Sequence, residues 1–136
     1  MAKIVYFSVT GQTKRFVNKI SIAEKIEITL HNPFIEVGEP FILVVPTYVA
    51  ELLEPVYDFL ETGRNQTNCV GTFGGGNRNF ANLFCFTVRD LEAEYGIPVL
   101  HTFEFQGSAT DVEKLEKELD TIENANRSTE KSSQLF

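Results

Sequence analysis

KIVYFSVTGQTKRFVNKI, residues 3–20, decides the fold. Ile4, Val5, Tyr6 and Phe7 form a continuous apolar and aromatic run, the pattern of a strand covered on both faces, and Lys3 to Val9 reads as that strand. The turn Ser8-Val9-Thr10-Gly11-Gln12-Thr13 follows, with three hydroxyls, one amide and a glycine that lets the backbone turn tightly. Gln12 to Ile20 then reads as a helix with Phe16, Val17 and Ile20 on one face.

The same alternation continues outward. Lys25 to Leu30 places Ile26, Ile28 and Leu30 opposite Lys25, Glu27 and Thr29, a strand buried on one face, and residues 30–40 are a loop. Phe41 to Val45 is a second continuous apolar run, ending at Pro46. Glu51 to Thr62 reads as a helix with Leu52, Val56, Phe59 and Leu60 inward, Pro55 near its first turn and Gly63 beyond its end. Cys69 to Phe73 is a third continuous run, followed by three glycines. Phe80 to Tyr95 has helical spacing in Phe80, Leu83, Phe84, Val88, Leu91 and Tyr95, and Gly96 closes it. Val99 to Phe105 is a strand bearing His101 and Glu104. Asp111 to Asn124 is a helix with Val112, Leu115, Leu119 and Ile122 on one stripe. A domain over residues 1–125 is expected, with a polar, fraying tail over 126–136.

Five strands alternating with helices imply an α/β fold with a parallel sheet covered on both faces. The first, third and fourth strands are uninterrupted apolar runs and suit central positions; the second and fifth carry charges and suit edges. The doubly wound order 2-1-3-4-5 satisfies both conditions. Its switch point lies between the first and third strands, where ligands bind outside the carboxyl ends.

Composition narrows the ligand. The chain of 136 residues has a net charge of −7, which disfavours nucleic acid and anionic membrane surfaces as partners. No apolar run reaches the roughly 20 residues that span a bilayer, and no signal-peptide cleavage site follows Lys3, so a cytoplasmic location is expected. Cys69 and Cys85 form no Cys-x-x-Cys pair and are expected to be buried free thiols. Neither His31 nor His101 has a Cys or carboxylate at ligand spacing, and no metal site is expected. No Ser-His-Asp or Cys-His arrangement marks a catalytic residue.

Three loops meet at the switch point. In the first, Ser8, Val9, Thr10, Gly11, Gln12 and Thr13 offer hydroxyls and free N–H groups at a helix start, the chemistry of a phosphate nest without a dedicated arginine. Helix capping alone explains a Ser or Thr here equally well; the position at the switch point favours phosphate. The turn lacks the second glycine of a Walker A loop, no Gly-x-Gly-x-x-Gly is present, and Ser8-Val9 and Pro46-Thr47 replace the acids of a phosphoacceptor receiver. The second loop is Pro46, Thr47, Tyr48, Val49 and Ala50. The third runs Gly74, Gly75, Gly76, Asn77, Arg78, Asn79, Phe80, where glycines permit close approach to a flat ligand and the Asn77 and Asn79 amides can read a pyrimidine edge. Tyr48 and Phe80 can stack on rings, although Phe80 also lies on the helix's apolar stripe. Arg78 either faces solvent or steadies the bound ligand or a partner.

The segment Gly75-Gly76-Asn77-Arg78-Asn79-Phe80, together with Tyr95-Gly96-Ile97-Pro98-Val99-Leu100, Phe103-Glu104-Phe105-Gln106-Gly107-Ser108 and Asp111-Val112-Glu113, resembles the NrdI family, flavodoxin-like activators of class Ib ribonucleotide reductase. The Ser-x-Thr-Gly-x-Thr turn is similar to the FMN phosphate loop of flavodoxins. The resemblance implies a flavodoxin-like fold, FMN as cofactor held by the three loops, and a flavin or flavodoxin reductase as electron donor. It further implies that reduced FMN reacts with oxygen and that the oxidant passes to the dimanganese-tyrosyl radical site of the reductase small subunit. A generic electron-transfer flavodoxin and a cofactor-free interaction domain are the alternatives. Few acids flank the loops, and Arg78 and Arg89 offset Glu51 and Glu54, which favours the activator. In one respect the chain departs from the family: residues 46–55 contain no glycine, whereas family members usually carry glycine in this loop. A peptide flip that offers a carbonyl to reduced flavin is therefore disfavoured by about 1 kcal/mol, and the one-electron-reduced flavin is expected to be poorly stabilised.

Overall fold

A computed structural model describes residues 2–77 and 85–134. Five parallel strands, β1 (Lys3–Tyr6), β2 (Glu24–Glu27), β3 (Phe41–Val45), β4 (Cys69–Gly76) and β5 (Val99–Glu104), form one sheet in the order 2-1-3-4-5, as predicted. The helices are α1 (Gln12–Val17), α2 (Glu54–Leu60), the single turn α3 (Asn65–Asn68), α4 (Phe86–Tyr95) and α5 (Ala109–Gln134).

Alternation along the strands builds two cores. Val5 and Phe7 of the β1 segment, with Phe41, Leu43 and Val45 of β3, pack on Val56, Phe59 and Leu60 of α2 and Val88 and Leu91 of α4. The intervening Ile4, Tyr6, Ile42 and Val44 face the opposite side, with Phe16 and Val17 of α1 and Leu115, Leu119 and Ile122 of α5. Period-two side-chain direction thus explains why these strands are apolar throughout: each residue has a helix layer to face. The edge strand β2 is only partly covered.

Several elements differ from their sequence-based expectation. β1 ends at Tyr6 and α1 at Val17, each shorter than predicted; 3-10-type bonds from Lys19 N–H to Phe16 O and Ile20 N–H to Val17 O tighten the chain past the helix end and close off the α-helical pattern. Leu30 is 75% exposed, because the strand stops at Glu27 and its alternation no longer applies. A 3-10 turn over Ala50–Leu53 precedes α2 and shifts the phase, so Leu53 is buried and Leu52 is exposed. Gly74, Gly75 and Gly76 belong to β4 and are not a loop. A β-carbon at Gly74 would lie 2.6 Å from a Val88 methyl, so this glycine lets α4 pack directly on the strand. The predicted helix over 80–95 begins, among the described residues, at Phe86: Cys85 has φ 54°, a left-handed conformation that cannot continue a right-handed helix. Residues 80–84 of that prediction lie outside the described residues. Gly96 closes α4 with φ 71° and an N–H bond to Glu92 O, as expected. The tail expected to fray continues α5 to Gln134, in a stretch without Gly or Pro.

Both cysteines are free and buried, and burial pushes the Cys69 thiol up to about 12. No helix among the described residues is long and apolar enough to cross a membrane.

Candidate functional site

The carboxyl ends of β1, β3 and β4 open onto a cleft of about 520 Å³, within the range of small-molecule and cofactor sites. The three predicted loops supply most of its lining. Val9, Thr10, Gln12 and Thr13 come from the first, Pro46, Thr47, Tyr48 and Val49 from the second, and Gly75, Gly76 and Asn77 from the third.

The first loop is organised by Ser8. Its Oγ accepts hydrogen bonds from the N–H groups of Gly11 at 3.1 Å and Lys14 at 3.4 Å. Gly11 has φ 94°, which glycine alone adopts readily, and its carbonyl accepts from Arg15 N–H. Those bonds consume two of the donors at the start of α1. The N–H groups of Gln12 and Thr13, in the first turn, have no carbonyl four residues back within the helix. Ser8 and Gly11 therefore shape the loop from behind and do not line the cleft. Because α1 is only six residues long, donors from the loop matter more here than a helix dipole.

The second loop is fixed at three points. Thr47 Oγ1 donates to Gly75 O at 2.7 Å, Tyr48 N–H donates to Thr87 Oγ1 at 3.4 Å, and the Tyr48 hydroxyl donates to Thr10 Oγ1 at 3.3 Å. Ala50 starts the 3-10 turn outside the cleft, and Gly74 lies beneath it against Val88. Arg78, Asn79 and Phe80 lie outside the described residues.

Phe86 and Phe105 also line the cleft and were not anticipated. The predicted strand order already carried a signal for Phe105, since it puts the loop after β5 beside the end of β4. Phe86 was hidden because the helix was read as starting six residues earlier. None of the described lining residues is charged. The cleft thus combines neutral hydroxyl and amide donors with apolar walls, which suits a ligand having a flat ring and an anionic end.

His101 and Asp111 fall elsewhere. His101 Nε2 lies 2.7 Å from Asp111 Oδ1, and Asp111 Oδ2 accepts from the Ser108 N–H and hydroxyl. This is a capping box at the start of α5 with histidine added, not a metal site. Among the described residues no group of three or more His, Cys, Asp or Glu could hold a metal.

The doubly wound sheet and the cleft at its switch point define a flavodoxin-like α/β protein. Its backbone is similar to that of a short-chain flavodoxin associated with a bacterial microcompartment, with a TM-score of 0.59 and 20% identity over 91% of this chain and 97% of that one. Residues 4–117 match the family described as NrdI flavodoxin-like, and the chain belongs to that family.

Proposed function

We propose that the protein binds FMN in this cleft and, as the reduced flavoprotein, supports a class Ib ribonucleotide reductase by supplying oxidant to the dimanganese-tyrosyl radical site of its small subunit. The observation that carries the reading is the junction of a neutral donor loop, Thr10 to Thr13, with an apolar cleft edged by Gly75 and Gly76, in a chain of this family. FMN bound there supplies the redox chemistry and the reaction with oxygen.

The chain's residues have separable tasks. The Thr10 and Thr13 hydroxyls, the Gln12 amide and the loop N–H groups bind the phosphate, with Ser8 and Gly11 holding their conformation. Gly75 and Gly76 let the backbone approach a ring closely. Asn77 addresses the pyrimidine edge, the role the sequence also suggests for the Asn79 amide, while Phe80 is read from sequence as a stacking ring. Val9, Pro46, Val49 and Phe86 exclude water from the ring. A flavin or flavodoxin reductase serves as electron donor, in a cytoplasmic setting where both thiols stay reduced. The net charge of −7 favours a partner with a basic face.

The test is reconstitution. Reduced protein, oxygen and manganese-loaded reductase small subunit should together yield tyrosyl radical by electron paramagnetic resonance. Yellow, FMN-loaded protein that gives no radical above a control without flavoprotein would defeat the activator role and favour generic flavodoxin-type electron transfer. Colourless protein that takes up no added FMN would defeat the flavin reading itself.

A further inference from the structure

We infer that Phe105, in the turn after β5, is a ligand-contacting wall of the cleft, held there by a left-handed backbone so that its ring packs against the ring of the bound flavin. The inference rests on the flavin reading above.

In a regular strand Phe103 and Phe105 would share a face, because side-chain direction repeats every two residues. Phe103 is 1% exposed and stacks on Phe16 with ring centroids 4.1 Å apart. Phe105 departs from that face. Its N–H still bonds to Gly76 O at 3.1 Å, extending the β4–β5 ladder by one step, but its φ is 51°. Phe105 borders the cleft, as well as a second hollow along the turn into α5, and is 51% exposed.

The turn that does this is fixed from below. Lys19 Nζ donates to Gln106 O at 2.9 Å and Gly107 O at 3.0 Å, and Gly107 N–H donates to Glu104 O. Gly107, with φ 74°, sits so close to Phe16 that a β-carbon there would approach the ring to 2.5 Å. The surroundings therefore impose the turn whatever residue occupies position 105. A positive φ is unfavourable for a residue with a β-carbon, and glycine would meet it at lower cost. A half-exposed ring recovers little of that cost by burial. The conformation is accounted for if the ring gains its contacts from a ligand.

The experiment compares wild type, Phe105→Gly, Phe105→Leu and Phe105→Trp by fluorescence titration with FMN and with riboflavin, alongside thermal midpoints of the flavin-free proteins. Phe105→Gly should keep or raise the midpoint while weakening both flavins by at least about fivefold, the scale of a lost aromatic contact. Phe105→Leu should also bind more weakly, and Phe105→Trp should retain wild-type affinity. An equal loss for riboflavin and FMN locates the contact at the ring and not at the phosphate. Unchanged flavin affinity in Phe105→Gly would overturn the inference, whatever the midpoint does. If Phe105→Gly lowers both midpoint and affinity, Phe105→Trp decides: restored affinity supports the inference and unrestored affinity overturns it. Wild-type protein that binds neither flavin would instead remove the flavin reading, and the inference with it.

Discussion

The hydroxyl of Tyr48 donates a 3.3 Å hydrogen bond to Oγ1 of Thr10, joining the loop after β3 to the loop after β1 across the cleft. The bond brings the tyrosine hydroxyl to the phosphate end of the proposed site, so the side chain expected to stack on a ring also orders the donor loop. Tyr48→Phe removes the bridge and keeps the ring. Exposed bonds of this kind contribute about 0.5–1.5 kcal/mol, which corresponds to an FMN dissociation constant raised about two- to twelvefold. Titration of flavin fluorescence reads the change in affinity, and urea denaturation of the flavin-free protein should show a stability loss of no more than about 0.5–1.5 kcal/mol.

The loop that carries Tyr48 is held by more than its lack of glycine. Thr47 Oγ1 and Tyr48 N–H tie it to Gly75 and Thr87, on β4 and α4. Rotating a peptide here would work against both bonds as well as against the sterics of a β-carbon. Reductive titration of the FMN-loaded protein should therefore show little one-electron-reduced flavin at the midpoint. Thr47→Val, which keeps the shape and removes the donor, should increase that population. A large population in the wild type would contradict the argument.

The topology was readable because two strand classes differ in their chemistry. Apolar runs at Ile4–Phe7, Phe41–Val45 and Cys69–Phe73 need two helix layers, while Lys25, Glu27, His101 and Glu104 need an edge. That the first two loops border one cleft was legible for the same reason, since strand order places those loops together. The role of Gly74 was not legible, because a glycine that relieves contact with Val88 looks the same in sequence as one that turns a loop. Nor does sequence periodicity reveal the reversal at Phe105, whose backbone is set by Lys19 and Phe16, nearly ninety positions earlier. The exposure of Leu52 escaped prediction because a 3-10 turn changes helical phase without any Gly or Pro to mark it.

Asn65 was not singled out in the sequence and is fully buried. Its Nδ2 donates to Ile35 O at 2.7 Å and Phe59 O at 2.8 Å, and its Oδ1 accepts from Val37 N–H at 2.8 Å. One side chain thus fastens the long β2–β3 connection to α2. Asn65→Ala strands three backbone groups and should cost about 2–4 kcal/mol of stability, measured by chemical denaturation. FMN affinity, corrected for the folded fraction, should be unchanged.

Cys69 and Cys85 are 7% and 1% exposed. With its thiol pushed up to about 12 by burial, Cys69 carries almost no thiolate at neutral pH. Neither cysteine should react with an aromatic disulfide reagent in the native protein on the timescale of minutes, and both should react after denaturation. Rapid modification of native protein would show that the packing around β4 opens readily.

Asp111 gives the fold an acid-sensitive joint. Burial opposes its charged form, but the hydrogen bonds from His101 and Ser108 outweigh that effect and hold the carboxyl below its ordinary value of 3.8. The unfolded chain therefore takes up a proton at this group at a higher pH than the folded protein does. The stabilising contribution is fully present above the unfolded value and is lost as pH falls through the folded value. Asp111→Asn removes the charge and weakens the capping box, at about 1 kcal/mol near neutral pH. Urea midpoints measured from pH 6 down to pH 2 should converge for wild type and variant at the acid end, with the wild type losing its advantage below about pH 4. Parallel curves throughout would show that the aspartate acts by shape alone.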